Sequence, residues 1–194
     1  MWSAQGKAIC APAGYGLASR IMNKLHYLAY GSNLHPVRLT KRVPSAALIG
    51  KVELSQTRLA FYKRSIDGSG KCTLLQDTIS KSIAYGALYT MASDEVVLLD
   101  GFEGLAKGYD KHAISCDIDN TIYHAFTYLA APQAIDVSLK PYHWYKQLVL
   151  AGARHHCFPE SYIAYLEGID SIPDPDPERM IMNEGLLEEI ERFS

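Results

Sequence analysis

The stretch Tyr27-Leu28-Ala29-Tyr30-Gly31-Ser32-Asn33-Leu34 constrains this chain more than any other. Tyr27, Leu28 and Tyr30 favour an extended backbone. Gly31 admits backbone angles closed to other residues, and the Ser32 and Asn33 side chains bond nearby backbone groups, so the strand ends in a tight turn. Asn33 is expected to cap a short helix opening near His35-Pro36, because proline suits a first helical turn. A strand–turn–helix of this form aims backbone N–H groups of Gly31 to Leu34 at one spot, which would suit a carboxylate or a developing oxyanion. The plain alternative is a connection that binds nothing, since short glycine motifs are common.

Further along, the placement of Glu103 can be weighed from the helix that precedes it. Ser93 is expected to cap a short helix from Asp94 to Gly101, with Asp94 and Glu95 set against its dipole. Val96, Leu99 and Glu103 fall at i, i+3 and i+7, so one more helical turn puts Glu103 on the apolar face. There it would be partly desolvated, with a pKa raised toward that of a useful general base. The competing placement is an exposed carboxylate beyond the helix end.

The rest of the chain supplies the frame. Residues 1–21 are rich in Gly, Ala and Ser without periodicity and read as a flexible extension, with Met22 looking like a natural start. Pro36 to Arg42 is a short helix whose Arg38, Lys41 and Arg42 share a face, read as solvated. Strands are expected at Ser45–Leu54, Thr57–Arg64 and Ile83–Met91, with Gly50 at a bulge and Gly86 at a close backbone approach. Asp67 to Cys72 reads as a mobile loop, and a cover for the pocket. It resembles a phosphate loop only superficially: Ser65 stands where the first glycine belongs and Cys72 where Ser or Thr belongs.

Tyr109–Ile118 and Thr121–Ala130 form an expected hairpin about Asp119-Asn120, with His112 and His124 facing across it. Helices follow at Ser138–Ala153, from Pro159 to Glu167, and at Glu178–Phe193, the last with Ile181, Leu186, Leu187 and Ile190 as its apolar side. Tyr142, Tyr145, Val149 and Gly152 share a stripe, Gly152 allowing close packing, and His155-His156 is read as surface or cap. Roughly six or seven strands with more hairpins than long crossovers imply an α+β fold: a small, mixed β-barrel-like sheet with helices packed outside.

Composition narrows the partners. The 194 residues fit one domain, here 22–194 after the extension. A net charge of −2 gives no footprint for nucleic acid or a membrane surface. No run approaches a membrane span. Cys10, Cys72, Cys116 and Cys157 have no CxxC spacing, which points away from zinc and toward free thiols in a reducing cytoplasm. The thirteen tyrosines suit an apolar pocket with polar tips.

Three segments together resemble the γ-glutamyl cyclotransferase family. They are Tyr30-Gly31-Ser32-Asn33-Leu34, then Leu99-Asp100-Gly101-Phe102-Glu103-Gly104, then Tyr145-Lys146 with Gly152-Ala153-Arg154 and Pro159-Glu160-Ser161-Tyr162. Arg154 stands where the family commonly has lysine, and Tyr109 falls off the expected spacing and is left out of the site. The resemblance covers about Lys24 to Asp174 and implies the cyclotransferase-like fold. It implies Glu103 as general acid/base, with Tyr30, Gly31, Ser32, Asn33, Leu34 and Tyr145 binding substrate. It also implies release of 5-oxoproline from a small γ-glutamyl amide without metal or organic cofactor, in a monomer or homodimer. Two alternatives keep the same pocket: removal of a γ-glutamyl group in a biosynthetic or metabolite-processing step, or ligand binding without catalysis.

Overall fold

The computed structural model describes residues 23–103, 105 and 108–193. The expected extension at 1–21, and Cys10 with it, lies outside the described residues. Seven strands and five α-helices follow in the order β1 (Lys24–Ala29), α1 (Pro36–Arg42), β2 (Ala47–Ser55), β3 (Thr57–Arg64), β4 (Gly70–Gln76), β5 (Ile83–Ala92), α2 (Val96–Glu103), β6 (Tyr109–Ile118), β7 (Thr121–Ala130), α3 (His143–His155), α4 (Glu160–Glu167) and α5 (Pro177–Phe193).

Five strands make one sheet in the order β2-β5-β1-β7-β6, and β3 and β4 pair as a separate hairpin. Neighbours are antiparallel except β1 and β7, which run parallel through Tyr27 and Phe126. The sheet curls into a half-barrel. Its edges approach so closely that a Cβ on Gly50 of β2 would lie 3.3 Å from the Ile118 side chain of β6. The register of β2 shifts between Leu48 and Gly50, placing the bulge where the glycine suggested it.

Strand periodicity divides the core in two. Leu28 and Leu88 join Val52, Cys116 and Ala125 inside the curl. Their strand neighbours Tyr27, Ala29, Ala87 and Tyr89 face the larger core, closed by Leu148, Val149, Ala153 and Tyr162 of α3 and α4. The architecture is therefore the expected α+β arrangement, a curled mixed sheet with helices outside.

Several local readings change. Gly70 to Gln76 is strand β4, so the loop after Asp67 ends at Ser69. Asp67 builds that turn by accepting from the Ser69 N–H at 3.0 Å, and Gly68 takes φ +83°. Asp119 and Asn120 both have positive φ, the two-residue turn that pairs Ile118 with Thr121. That register sets His124 opposite Ser115 and His112 opposite Thr127, so the two histidines do not face one another. Of the two readings for His156, cap and surface, the structure shows the first: it is the C-cap of α3 and is buried. In α5, Ile190 is buried on the same side as Asn183 while Ile181 is exposed, because nine residues make two and a half turns and set Ile181 on the opposite face. No helix among the described residues is long and apolar enough to cross a membrane.

Candidate active site

The site forms where β1 runs out into its glycine turn. Leu34 N–H donates to the Gly31 carbonyl at 3.0 Å, closing the turn. The Leu34 carbonyl accepts from Tyr89 Oη at 2.6 Å and lies 2.7 Å from His156 Nε2, pinning the corner to the sheet and to the end of α3. Gly152 of α3 makes that contact possible: a Cβ there would stand 2.3 Å from Leu34 Cβ. His35, not Asn33, caps α1, accepting from the Val37 N–H at 3.2 Å. Asn33 is thereby free to reach inward.

Glu103 is the last residue of α2, on the side of the buried Val96 and Leu99. Asn33 Nδ2 donates to its Oε1 at 2.7 Å, and Arg42 Nη1 lies 3.2 Å from the same oxygen. Arg42 also donates to Asn33 Oδ1 at 2.9 Å, closing a three-membered network. The glutamate side chain is 16% exposed, so this ion pair is sheltered but wet on one side. The Glu103 Oε2 atom has no hydrogen-bond partner among the described residues and can accept a proton.

A narrow cavity of about 280 Å³, including space open to solvent, runs from this network between Tyr30, Gly31, Ser32, Cys72, Tyr109 and Tyr145. Tyr30 Oη donates to the Tyr128 carbonyl. Tyr109 Oη donates to the Cys72 carbonyl at 2.5 Å, and the Cys72 N–H donates to Tyr145 Oη at 3.2 Å. Tyr27 Oη accepts from Asn33 Nδ2 at 3.3 Å, which leaves its own proton for a ligand. Burial pushes Tyr27, Tyr30, Tyr109 and Tyr145 well above the ordinary phenol range, and Glu103 adds to the effect. They are neutral hydroxyl groups at any physiological pH. Burial likewise pushes the Cys72 thiol up to about 12, so it sits here as a small apolar wall.

The structure thus brings Glu103, Tyr30, Gly31, Ser32, Asn33 and Tyr145 to one cavity. Leu34 differs: its side chain is wholly buried and its N–H is used inside the turn. Four lining residues went unassigned in the sequence. Tyr27 and Tyr128 are hidden in strands, Cys72 in the strand read as loop, and Tyr109 was set aside on spacing. Arg42 was assigned to a solvated face, yet a signal existed. It lies three residues after Leu39, which is fully buried, so the two share the inward side of α1. Arg38 is also buried, not solvated. Among the described residues no group of three or more His, Cys, Asp or Glu is placed to hold a metal ion.

This curled mixed sheet with helices packed outside is a γ-glutamyl cyclotransferase-like fold. Residues 84–166, which include Glu103 and Tyr145, match the AIG2-like family. Among solved structures, one described as a γ-glutamyl cyclotransferase superposes with a TM-score of 0.73 at 22% identity, covering 86% of this chain and 99% of that one. A human protein described as uncharacterized protein loc79017 superposes with a TM-score of 0.72 at 23% identity, covering 85% and 98%. YkqA from Bacillus subtilis gives 0.64 at 18% identity, covering 77% of this chain and 56% of its own. At these identities the likeness is one of fold. No curated protein matches the chain.

Proposed function

We propose that the protein is a cytoplasmic γ-glutamyl cyclotransferase that closes a small γ-glutamyl amide on itself, releasing 5-oxoproline and a free amine or amino acid. The observation that carries this reading is the 2.7 Å bond between Asn33 of the glycine corner and Glu103, at a narrow cavity lined by neutral hydroxyl groups. Ring closure needs an α-amine freed of its extra proton, a fixed γ-carbonyl and a proton for the leaving nitrogen. Asn33 and Arg42 hold one glutamate oxygen and leave the other for the proton.

In the proposed reaction Glu103 Oε2 takes a proton from the substrate α-ammonium. The amine nitrogen attacks the γ-carbonyl carbon, and the carbonyl π electrons move onto oxygen. Backbone N–H groups of Gly31 to Asn33, with the hydroxyl of Tyr27, are the donors within reach of that oxygen or of the α-carboxylate. Glu103 returns its proton to the amide nitrogen as the carbon–nitrogen bond breaks. The ring nitrogen loses its second proton, and the departing amine leaves as an ammonium. Both protons shed by the α-nitrogen end on the leaving group. Folding the glutamyl tail into attack geometry supplies several kcal/mol of the barrier reduction.

The test is 5-oxoproline release from a panel of γ-glutamyl amino acids, γ-glutamyl amines and glutathione, with Glu103→Gln alongside. Release by the wild-type protein, lost in the variant, supports the assignment. No release from any member of the panel, or a variant as fast as wild type, overturns it.

A further inference from the structure

We infer that a second recess, on the far side of Glu103 and walled by Lys63, receives the acceptor end of a γ-glutamyl substrate and binds a carboxylate there. The inference rests on the cyclotransferase reading and assigns the part of the substrate that reading leaves open.

The recess has a volume of about 710 Å³, including space open to solvent, and is lined by Lys63, Ser65, Ile66, Asp100, Phe102 and Leu105. Glu103 lines this recess and the tyrosine cavity alike. A substrate with its glutamyl tail in the narrow cavity and its amide at Glu103 must lay the leaving portion into the wider space beyond. The tail's room is tight; the acceptor's is not.

Lys63 gives that space its chemistry. It is one of the few buried charged residues, at 6% exposure. Its stem lies along the backbone at Gly108, where a Cβ would come within 3.0 Å of Cε. Its ammonium sits 4.5 Å from the centre of the Tyr109 ring, itself part of the tyrosine cavity. Among the described residues it has no ion pair and no hydrogen bond. The carboxylates whose charge reaches it are Glu103 and Asp67. Glu103 is bonded to Arg42, and Asp67 to Lys71 at 2.8 Å. Asp100, which also lines the recess, is paired with Lys111 at 2.7 Å and accepts from the Tyr128 hydroxyl.

An ammonium taken out of water without an anion is costly, and burial holds this one below its ordinary range. A carboxylate entering the recess would supply the missing partner. Exposed Ile66 and Phe102 stand at the rim with Leu105, offering apolar contact beside the charge. The acceptor this geometry fits is an α-amino acid or short peptide with a small or apolar residue next to the scissile amide. A cationic acceptor would meet Lys63 with like charge.

The experiment compares γ-glutamylalanine with γ-glutamylethylamide, which differ by the carboxylate alone. In the wild-type protein the alanine compound should show kcat/KM higher by about tenfold or more, the scale of one charge-assisted contact. Lys63→Met, which keeps the buried stem, should bring the ratio close to one. Lys63→Gln should do the same, and Lys63→Arg should restore part of it. Circular dichroism and unfolding curves establish that each variant is folded. A ratio near one in the wild type, or a preference that survives both neutral variants, overturns the assignment. Turnover of neither compound sinks the cyclotransferase reading instead. Calorimetric binding of the two compounds to that same inactive protein then reads the recess by itself: a preference erased by Lys63→Met keeps it, and equal affinity or no binding overturns it.

Discussion

Glu103 and Asp174 are both carboxylates turned inward against an arginine, but their oxygens are used differently. Asp174 has no exposed side-chain surface. Its Oδ1 accepts from Arg179 Nη2 and the Asp176 N–H, and its Oδ2 from Arg179 Nε and Trp144 Nε1. Every acceptor site faces a donor, and the group ties the start of α5 to α3. Glu103 concentrates its partners, Asn33 and Arg42, on Oε1 and keeps Oε2 open beside a cavity. A saturated carboxylate can hold two elements together but has no lone pair to spare for a substrate proton. One anchored through a single oxygen keeps both a fixed position and a working atom.

Substitutions at the two acids should therefore separate stability from turnover. Asp174→Ala leaves a guanidinium and an indole N–H without their acceptor, and should lower unfolding free energy by about 3 kcal/mol. That is the low end for a broken buried pair, because the Arg179 side chain is 28% exposed. The fraction that stays folded should turn over substrate at close to the wild-type rate. Urea titration followed by a rate measurement below the transition checks both. A folded Asp174→Ala protein without activity would erase the contrast.

Glu103→Gln should do the opposite. Loss of a positioned general base costs about 100-fold or more in turnover, while the amide still accepts from Asn33 and the unfolding midpoint moves far less than in Asp174→Ala. Arg42→Lys sharpens the point further. A lysine ammonium lacks the planar fork that reaches Asn33 Oδ1 and Glu103 Oε1 together, and a decrease of about tenfold in turnover is expected. Rates equal to wild type would mean that Asn33 alone orients the glutamate.

The glycine corner could be read along the chain from its own residues; the Asp174 clamp could not. The corner stands out through local turn chemistry, a short-range signal, whereas the spacing of Glu103 left an inward and an exposed placement open and the resemblance to γ-glutamyl cyclotransferases singled it out. Strand periodicity and the Asp119-Asn120 turn similarly gave away the sheet and the β6–β7 hairpin. Arg42 was misplaced because its importance depends on Glu103, 61 residues later. Cys72 and Tyr109 were missed for a like reason: the bond between them joins β6 to a hairpin strand that has no pattern of its own. The clamp at Asp174 sits in a segment that reads as a stiff Asp-Pro turn, and nothing local says that Trp144 lies against it. Side chains whose roles are set by long-range pairing leave little trace in one sequence.

The smallest expected effect concerns pH and tests whether the Asp174 clamp is ionic. The hydrogen bonds from Arg179 come first among the causes that hold its carboxyl well below the usual carboxylate range. A folded-state pKa depressed in this way contributes stability that is fully present above the unfolded value, near 3.9, and is lost as pH falls below it. Asp174→Asn keeps the shape and removes the titration. The stability advantage of wild type over Asp174→Asn should therefore be constant from pH 7 to about pH 5 and should narrow between about pH 4 and pH 3. Paired urea titrations across that window measure the difference directly, because other carboxylates titrate alike in both proteins. An advantage that stays level through pH 3 would show that the clamp works through shape and neutral hydrogen bonds. Charge would then no longer be what it shares with Glu103.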